Sequence, residues 1–282
     1  MIKALTVIGH GTNLLPHYLD HYINYVDEIN IIVYSSDLYP NLDNEVREVI
    51  KKYSGVKIVK IVRDRIFDWD KVTSLYNLIS SKSPNDWFVI ADIDEFHLYN
   101  RNIRDIVSNC EDNGYQIVRG GFIDRIGIGG EFSELQSDIS IWEQYPNAGF
   151  FRHPMSKANP NKICIMKGSV ELTSGQHYAK IDGFTTWRWQ GWNHPLISPI
   201  DSVQVHHFKW DSTAIQRVKD VANIKQDYAF STEYEAMFMA LIKTKFKIDV
   251  TKKEYMFELG LIQPEFERYR NWDKLFKVIK SI

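Results

Sequence analysis

Residues 87–96 read Trp87-Phe88-Val89-Ile90-Ala91-Asp92-Ile93-Asp94-Glu95-Phe96. Four apolar residues run without alternation, as in a strand buried on both faces. Three acids then follow within four positions. The pattern predicts a strand over Trp87–Ile93. At strand spacing Asp92 and Asp94 fall on one face. Upstream the same kind of apolar run recurs at Leu5–Gly9, Ile29–Tyr34 and Val56–Val62. Helical spacing fills the gaps at Leu14–Tyr25, Asn41–Tyr53 and Trp69–Ser80. Strands that alternate with helices imply an α/β fold, a parallel sheet with helices on both faces.

Beyond Asn100 the pattern changes. Ile103–Asn113 reads as a helix and Gln116–Phe122 as a strand. Asp124–Asp211 is rich in loops and strands, with scattered Gly, Pro and Trp. Helical spacing returns at Ser212–Tyr228, Glu233–Lys243, Lys252–Gly260 and Pro264–Lys280. Proline is favourable at such a helix start. The expected organisation is one domain over residues 1–211, with a nucleotide-binding half (1–100) and a β-rich acceptor and metal half (101–211). A helical C-terminal extension over 212–282 would pack on the same core.

The chain has 282 residues, enough for one large domain or two small ones. It is 44% hydrophobic and 25% charged, which excludes disorder and fibrous repeats. A net charge of −2 argues against a nucleic-acid binder, which shows a basic excess. Cys110 and Cys164 make neither a disulfide framework nor a CxxC metal site. The apolar run Ala4–Gly9 is too short for a signal peptide, and no stretch is long and apolar enough to span a bilayer. The expectation is a soluble cytoplasmic protein, with peripheral membrane contact left open. Aromatic residues reach 13%, a surplus that can serve cores or stacking faces.

In open parallel sheets, ligands bind outside the carboxyl ends of the strands. The first strand ends in Gly9-His10-Gly11, but Leu14 stands where a dinucleotide fingerprint needs its third glycine. No GxxxxGK[ST] loop is present, and Glu131 after Gly129-Gly130 has the wrong charge for a phosphate cradle. The second strand ends in Ser35-Ser36-Asp37. Asp37 can accept from a ribose hydroxyl or a base N–H, or it can cap the following turn. Convergent Asp92 and Asp94 repel unless a cation lies between them. Hard oxygen ligands suit Mg²⁺ or Mn²⁺ bound together with phosphates. The alternative is an acidic strand end that caps the next helix. A second cluster, Val203–Asp211, alternates like a strand and puts His207 and Lys209 on one face. An imidazole can complete a metal shell there and an ammonium can neutralise phosphate.

This ordered set resembles the GT-A glycosyltransferases, their family-2-like and family-92-like members above all. The resemblance rests on the opening LLPHYLDHYINYVDEINIIVYSSD, the strand-ending DxD of Asp92-Ile93-Asp94, Asp124-Arg125, Gly175-Gln176-His177 and the closing HHFKWD. It covers about residues 4–211. It implies a GT-A-like fold with a Rossmann-like nucleotide-binding half, a mostly parallel central sheet, a β-rich acceptor region and a helical tail. It also implies Asp94 as a direct ligand of Mn²⁺ or Mg²⁺. Asp92 would share the metal or bind the ribose, Asp37 would contact the nucleoside, His207 would be a metal ligand and Lys209 would hold phosphate. The donor would be a nucleotide-diphosphate sugar, UDP-linked by preference, and the acceptor a glycan or other hydroxyl. In place of the Asn-Glu pair of many family-2 enzymes this chain has His10-Gly11-Thr12-Asn13.

An inverting enzyme also needs a carboxylate base near the acceptor. Asp124 ranks first among Asp124, Glu131, Glu134, Asp138 and Glu143, and its alternative is a salt bridge with Arg125 or another residue. A retaining enzyme needs no such base. Trp187 and Trp189 alternate in TTWRWQGWNHP, with Trp192 and Trp210 near them. They suit an aromatic wall for a pyranose, or a core that packs the β-rich middle; His177 could line the same cleft. The rival readings are a metal-dependent phosphohydrolase, a nucleotidyltransferase acting on sugar phosphates and a carbohydrate-binding module. The first lacks an early DxDxT and the second a Gly-rich basic first loop. The third has no use for Asp92, Asp94, His207 and Lys209.

Overall fold

Unbroken β-branched and aromatic runs cannot alternate polar and apolar faces, so they are stable only inside a sheet covered on both sides. Such runs at β1 (Ile2–Ile8), β2 (Glu28–Ser35) and β4 (Trp87–Ile90), with the half-buried edge strand β3 (Val56–Arg63), form the parallel block of the fold. β1 pairs in parallel with β2 and β4, and β2 with β3. The crossovers carry α1 (Leu15–Tyr22), α2 (Leu42–Ile50) and α3 (Trp69–Ser80). Asp68 caps α3, its carboxylate accepting from the N–H groups of Asp70 and Lys71. One face of α3 packs Val72, Leu75, Tyr76 and Ile79 against Leu5, Val7, Phe88 and Ile90. Each such side chain contributes about 1.5–3 kcal/mol when taken out of water.

The computed structural model describes residues 1–149, 151–156, 158, 161–181, 184–185, 194–223 and 231–252. The chain divides into two compact units. Among the described residues, 1–121 and 161–205 build the first, and 122–158 and 206–252 build the second. After β4 the first unit continues with β5 (Glu95–Tyr99), α4 (Ile103–Asn113) and the start of β6 (Ile117–Ile126). β7 (Asn147–Gly149) follows, between the short helices α5 (Ile141–Gln144) and α6 (Arg152–Ser156). Next come β8 (Asn161–Lys167), β9 (Glu171–Leu172), β10 (Ala179–Ile181), β11 (Phe184–Thr185) and β12 (Ile197–Trp210).

In the larger sheet the strand order is β3-β2-β1-β4-β8-β6-β12-β5. β8 pairs antiparallel with both β4 and β6, so the sheet is mixed rather than parallel throughout. A small antiparallel sheet has the order β11-β10-β9. Gly120 in β6 is held bare by its neighbours: a Cβ would lie 2.5 Å from both the Cys164 sulfur and the Val203 carbonyl.

Within the second unit, the end of β6 pairs antiparallel with β7. α7 (Ala214–Asn223) and α8 (Ser231–Lys243) carry Ala214, Val218, Met237 and Leu241 into a core with Ile126, Phe151, Trp210 and Ile248.

Two expectations about elements need correction. The fourth strand stops at Ile90, and Asp92–Asp94 lie in a turn whose closing bond runs from the Glu95 N–H to the Asp92 carbonyl at 2.9 Å. The element after the acids is strand β5, so they cap no helix. The helices expected at Lys252–Gly260 and Pro264–Lys280 lie outside the described residues, apart from Lys252.

Candidate functional site

The acidic turn sits at the carboxyl end of β4, beside the ends of β1 and β2. Buried Ile93 is its pin: the residues on either side, Asp92 and Asp94, are half-exposed, while Glu95 is buried. The two acids are therefore placed by a turn and not by strand alternation. Tyrosines from two helices hold it. The Tyr18 hydroxyl donates to the Ala91 carbonyl at 3.4 Å, and the Tyr22 hydroxyl to the Glu95 carbonyl at 2.9 Å. The Tyr76 hydroxyl, itself accepting from the Val7 N–H at 3.1 Å, donates to Asp92 Oδ1 at 2.7 Å. Burial, joined by the nearby Asp92 charge, pushes the Tyr76 phenol well above its ordinary range. It stays a donor at any working pH.

Lys162 on β8 is the cation of the cluster. Its fully buried ammonium donates to Glu95 Oε1 at 2.8 Å, Gln176 Oε1 at 3.0 Å and Asp92 Oδ2 at 3.2 Å. Burial alone would lower its pKa, but the carboxylates of Asp92 and Glu95 raise it instead. Asp92, Asp94 and Glu95 set against Lys162 leave two formal negative charges among these four side chains. The other oxygen of Glu95 accepts from the Asp92 N–H at 3.0 Å. Gln176 completes the set, donating from Nε2 to the Thr73 hydroxyl of α3 at 3.0 Å.

Gln176 reaches this place on a strained backbone, with φ at 56°. Its neighbour Gly175 has φ at 76°, and a Cβ there would lie 2.7 Å from the His177 ring. The Gly175-Gln176-His177 motif is thus a tight turn that delivers one amide to Lys162. It also sets the His177 imidazole, whose Nδ1–H donates to the Asn161 carbonyl at 2.6 Å. Sequence reasoning named His177 and missed Gln176, Lys162 and Tyr76. The available signal was Lys162 next to the apolar run Ile163–Met166, since a lysine drawn into a buried strand requires an anion.

Asp37 stands exposed just past β2, its N–H donating to the Arg65 carbonyl at 3.3 Å. The loop after β3 returns Phe67 onto Gly9, so any side chain at position 9 would meet the Phe67 ring.

The second unit holds Asp124, His207 and Lys209. Asp124 is fully buried and takes two bonds from Arg152, one from Nε at 3.0 Å and one from the backbone N–H at 3.1 Å. Burial alone would raise its pKa, but Arg152, with His207 beside it, brings it down to about 2. A carboxylate so held is a poor proton acceptor near neutrality. The base expected at Asp124 is in fact half of an ion pair, with Arg152 as partner instead of Arg125. Arg125 donates to the Tyr145 carbonyl at 2.9 Å and lies over the Trp142 and Phe208 rings.

His207 Nδ1 lies 3.5 Å from Asp124 Oδ1. The expected alternation is present: His206 and Phe208 both meet Trp142, while His207 meets Phe122. Lys209 donates to the Tyr234 hydroxyl at 2.6 Å. Trp210 is not part of an aromatic wall. It is buried and stacked on Phe132 at 5.7 Å. Trp187, Trp189 and Trp192 lie outside the described residues.

Among the described residues no group of three or more His, Cys, Asp or Glu side chains is gathered to hold a metal ion. The donor chemistry of the acidic turn still suits a hard divalent cation. Such an ion needs only one or two carboxylates when phosphate oxygens and water complete its shell.

The first unit is therefore an α/β protein with an acidic turn, neutralised in part by one buried lysine, at the carboxyl end of a parallel strand. No family model and no curated protein sequence matches the chain. Solved structures give distant likenesses. A protein from Bacillus anthracis, provisionally described as a glucose-1-phosphate thymidylyltransferase and solved in complex with a sucrose, is 12% identical, with a TM-score of 0.35, over 83% of this chain and 99% of that one. Mannose-6-phosphate isomerase from Helicobacter pylori is 11% identical, with a TM-score of 0.34, over 60% of this chain and 71% of that one.

Proposed function

We propose that this chain is a metal-dependent glycosyltransferase of the GT-A type, moving a sugar from a nucleotide-diphosphate donor to a hydroxyl acceptor. The observation that carries the reading is the turn Asp92–Glu95 at the carboxyl end of β4, in which half-exposed Asp92 and buried Glu95 share a buried lysine and Asp94 is half-exposed.

Asp94 would hold Mn²⁺ or Mg²⁺, and Asp92 would share it or take a ribose hydroxyl. Bound there, the ion supplies positive charge that stabilises the departing nucleotide diphosphate. The chain's own groups do the rest. Tyr76 and Lys162 each occupy one oxygen of Asp92, fixing its orientation. Glu95 balances Lys162 from inside. Asp37, at the end of β2, is proposed to contact the nucleoside. His207, Lys209, His177, Trp187 and Trp189 keep their proposed roles (metal ligand, phosphate binder and sugar-binding residues) on the sequence pattern alone.

Calorimetric titration with UDP, GDP and dTDP, with and without Mn²⁺, tests the reading. Binding that requires Mn²⁺ and weakens at least about ten-fold in Asp94→Asn is expected, since ten-fold corresponds to one lost interaction of about 1.4 kcal/mol. Undiminished binding in that variant with the metal chelated would overturn it. Release of a nucleoside diphosphate from a sugar donor is the expected turnover. Release of pyrophosphate from a nucleoside triphosphate and a sugar phosphate would instead make the chain a nucleotidyltransferase.

A further inference from the structure

The second unit carries an apolar and basic surface that the proposed reaction does not use. Helix α8 buries Met237 and Leu241, and turns Met239 and Ile242 outward with 51% and 45% of their surface exposed. The chain leaves the helix through two non-glycine residues in the left-handed region, Lys245 (φ 55°) and Phe246 (φ 58°). Side chains with a Cβ seldom adopt that backbone, and two in succession must be held by their surroundings. Here the Phe246 N–H donates to the Leu241 carbonyl at 2.7 Å, and the Lys245 N–H to the Ile242 carbonyl at 3.1 Å. The outcome is a Phe246 ring that is 37% exposed, 6.2 Å from the Phe238 ring.

A second loop adjoins it. The Ile248 N–H donates to the Gly130 carbonyl at 3.0 Å, and Lys247 pairs with Glu131 at 3.1 Å. Gly130, with φ at 80°, has no room for a side chain, which would run into the Ile248 carbonyl. Two residues before it stands Ile128, 73% exposed. Four lysines, Lys243, Lys245, Lys247 and Lys252, accompany these apolar tips, against two acids, Asp249 and the Glu131 that pairs with Lys247. All four lysines are exposed, in a chain whose net charge is −2.

Large exposed apolar side chains ringed by ammonium groups match one kind of surface closely. Apolar tips enter the boundary between headgroups and acyl chains, while lysines meet anionic headgroups. We propose that the end of α8, with the loops at Ile128 and Lys245–Lys247, docks the protein on an anionic lipid bilayer. The charge argues for lipid over a second copy of the chain, because two such faces would bring lysines against lysines.

Sedimentation of the full chain with vesicles tests this, using phosphatidylcholine alone and phosphatidylcholine mixed with phosphatidylserine. Binding to the mixed vesicles only, weakened by salt, is expected. Lys243→Gln and Lys245→Gln should each lower the partition about five-fold, the equivalent of ~1 kcal/mol per lysine at the surface. Ile128→Asp combined with Ile242→Asp should abolish binding without moving the thermal transition, because both side chains are exposed. Absence of binding to the mixed vesicles at low salt would overturn the proposal, as would equal binding to neutral vesicles. Self-association that disappears in Ile242→Asp would also overturn it, making the patch an interface between copies.

Discussion

Lys162 is the residue on which the acidic turn depends. Three acceptors converge on its ammonium, and Glu95 is buried with it. Removing one partner of a buried pair costs more than the pair contributes, since the other charge is left uncompensated. Lys162→Met should therefore destabilise the fold by about 3–5 kcal/mol in urea unfolding. Adding Glu95→Gln should restore part of that loss, because the stranded charge is then gone. A loss below about 1 kcal/mol in the single variant would mean that the ammonium holds nothing. Asp92 and Asp94 were legible in the sequence because acids that follow an apolar run are conspicuous. Lys162 was not, because it stands between Asn161 and the apolar run Ile163–Met166, where a lysine reads equally well as a solvated strand end. Its partners are about seventy residues away, and only tertiary folding brings them together.

At the scale of elements, the parallel block followed the apolar runs closely. α3 spans Trp69–Ser80 and α4 spans Ile103–Asn113, the residues that their spacing predicts. Helices with a cap at one end and a stop at the other announce both boundaries: Asp68 starts α3, and Asn102 and Gly114 flank α4. Strand ends announce less. β4 stops at Ile90 because Ile93 must be buried inside a turn, and a buried isoleucine reads alike in either setting. The antiparallel joining of β8 to β4 and β6 was hidden for a related reason, since Ile163–Met166 is an unbroken buried run like those of the parallel strands. Gly120 marks where these strands crowd. Gly120→Ala should lower stability by about 1–3 kcal/mol, as overpacking does. An unchanged thermal transition would show that Cys164 and Val203 can move aside.

For the molecule as a whole, the described residues include no helix long and apolar enough to cross a membrane. A buried histidine gives its stability a pH signature. His97 on β5 is fully buried, and its pKa lies well below the ordinary value through burial, with Lys162 and His21 adding to the effect. Its folded pKa is depressed, so the unfolded chain takes up the proton first as pH falls. The contribution of neutral His97 is present above the unfolded pKa of about 6.5 and declines below it. One proton gives at most about 1.4 kcal/mol for each pH unit. Urea midpoints measured from neutrality downward should fall for the wild type and fall less steeply for His97→Phe; parallel curves would refute the assignment.

Taken alone, the sequence determined the parallel block, the helices between its strands and the acids at the end of β4, because burial and capping act over a few neighbouring residues. It also marked His207 and Lys209 as sharing a face, since alternation is a local property. Tertiary structure alone decided that Asp124 is spent on Arg152, that Trp210 is core, and that Lys162, Tyr76 and Gln176 hold the acidic turn. Trp210 is packed by Phe132 and Phe151 from a distant part of the chain, and the other outcomes are charges or hydrogen bonds satisfied between residues far apart in sequence. Such pairings are fixed by the cost of leaving a buried polar group alone, and that cost has no local sequence pattern.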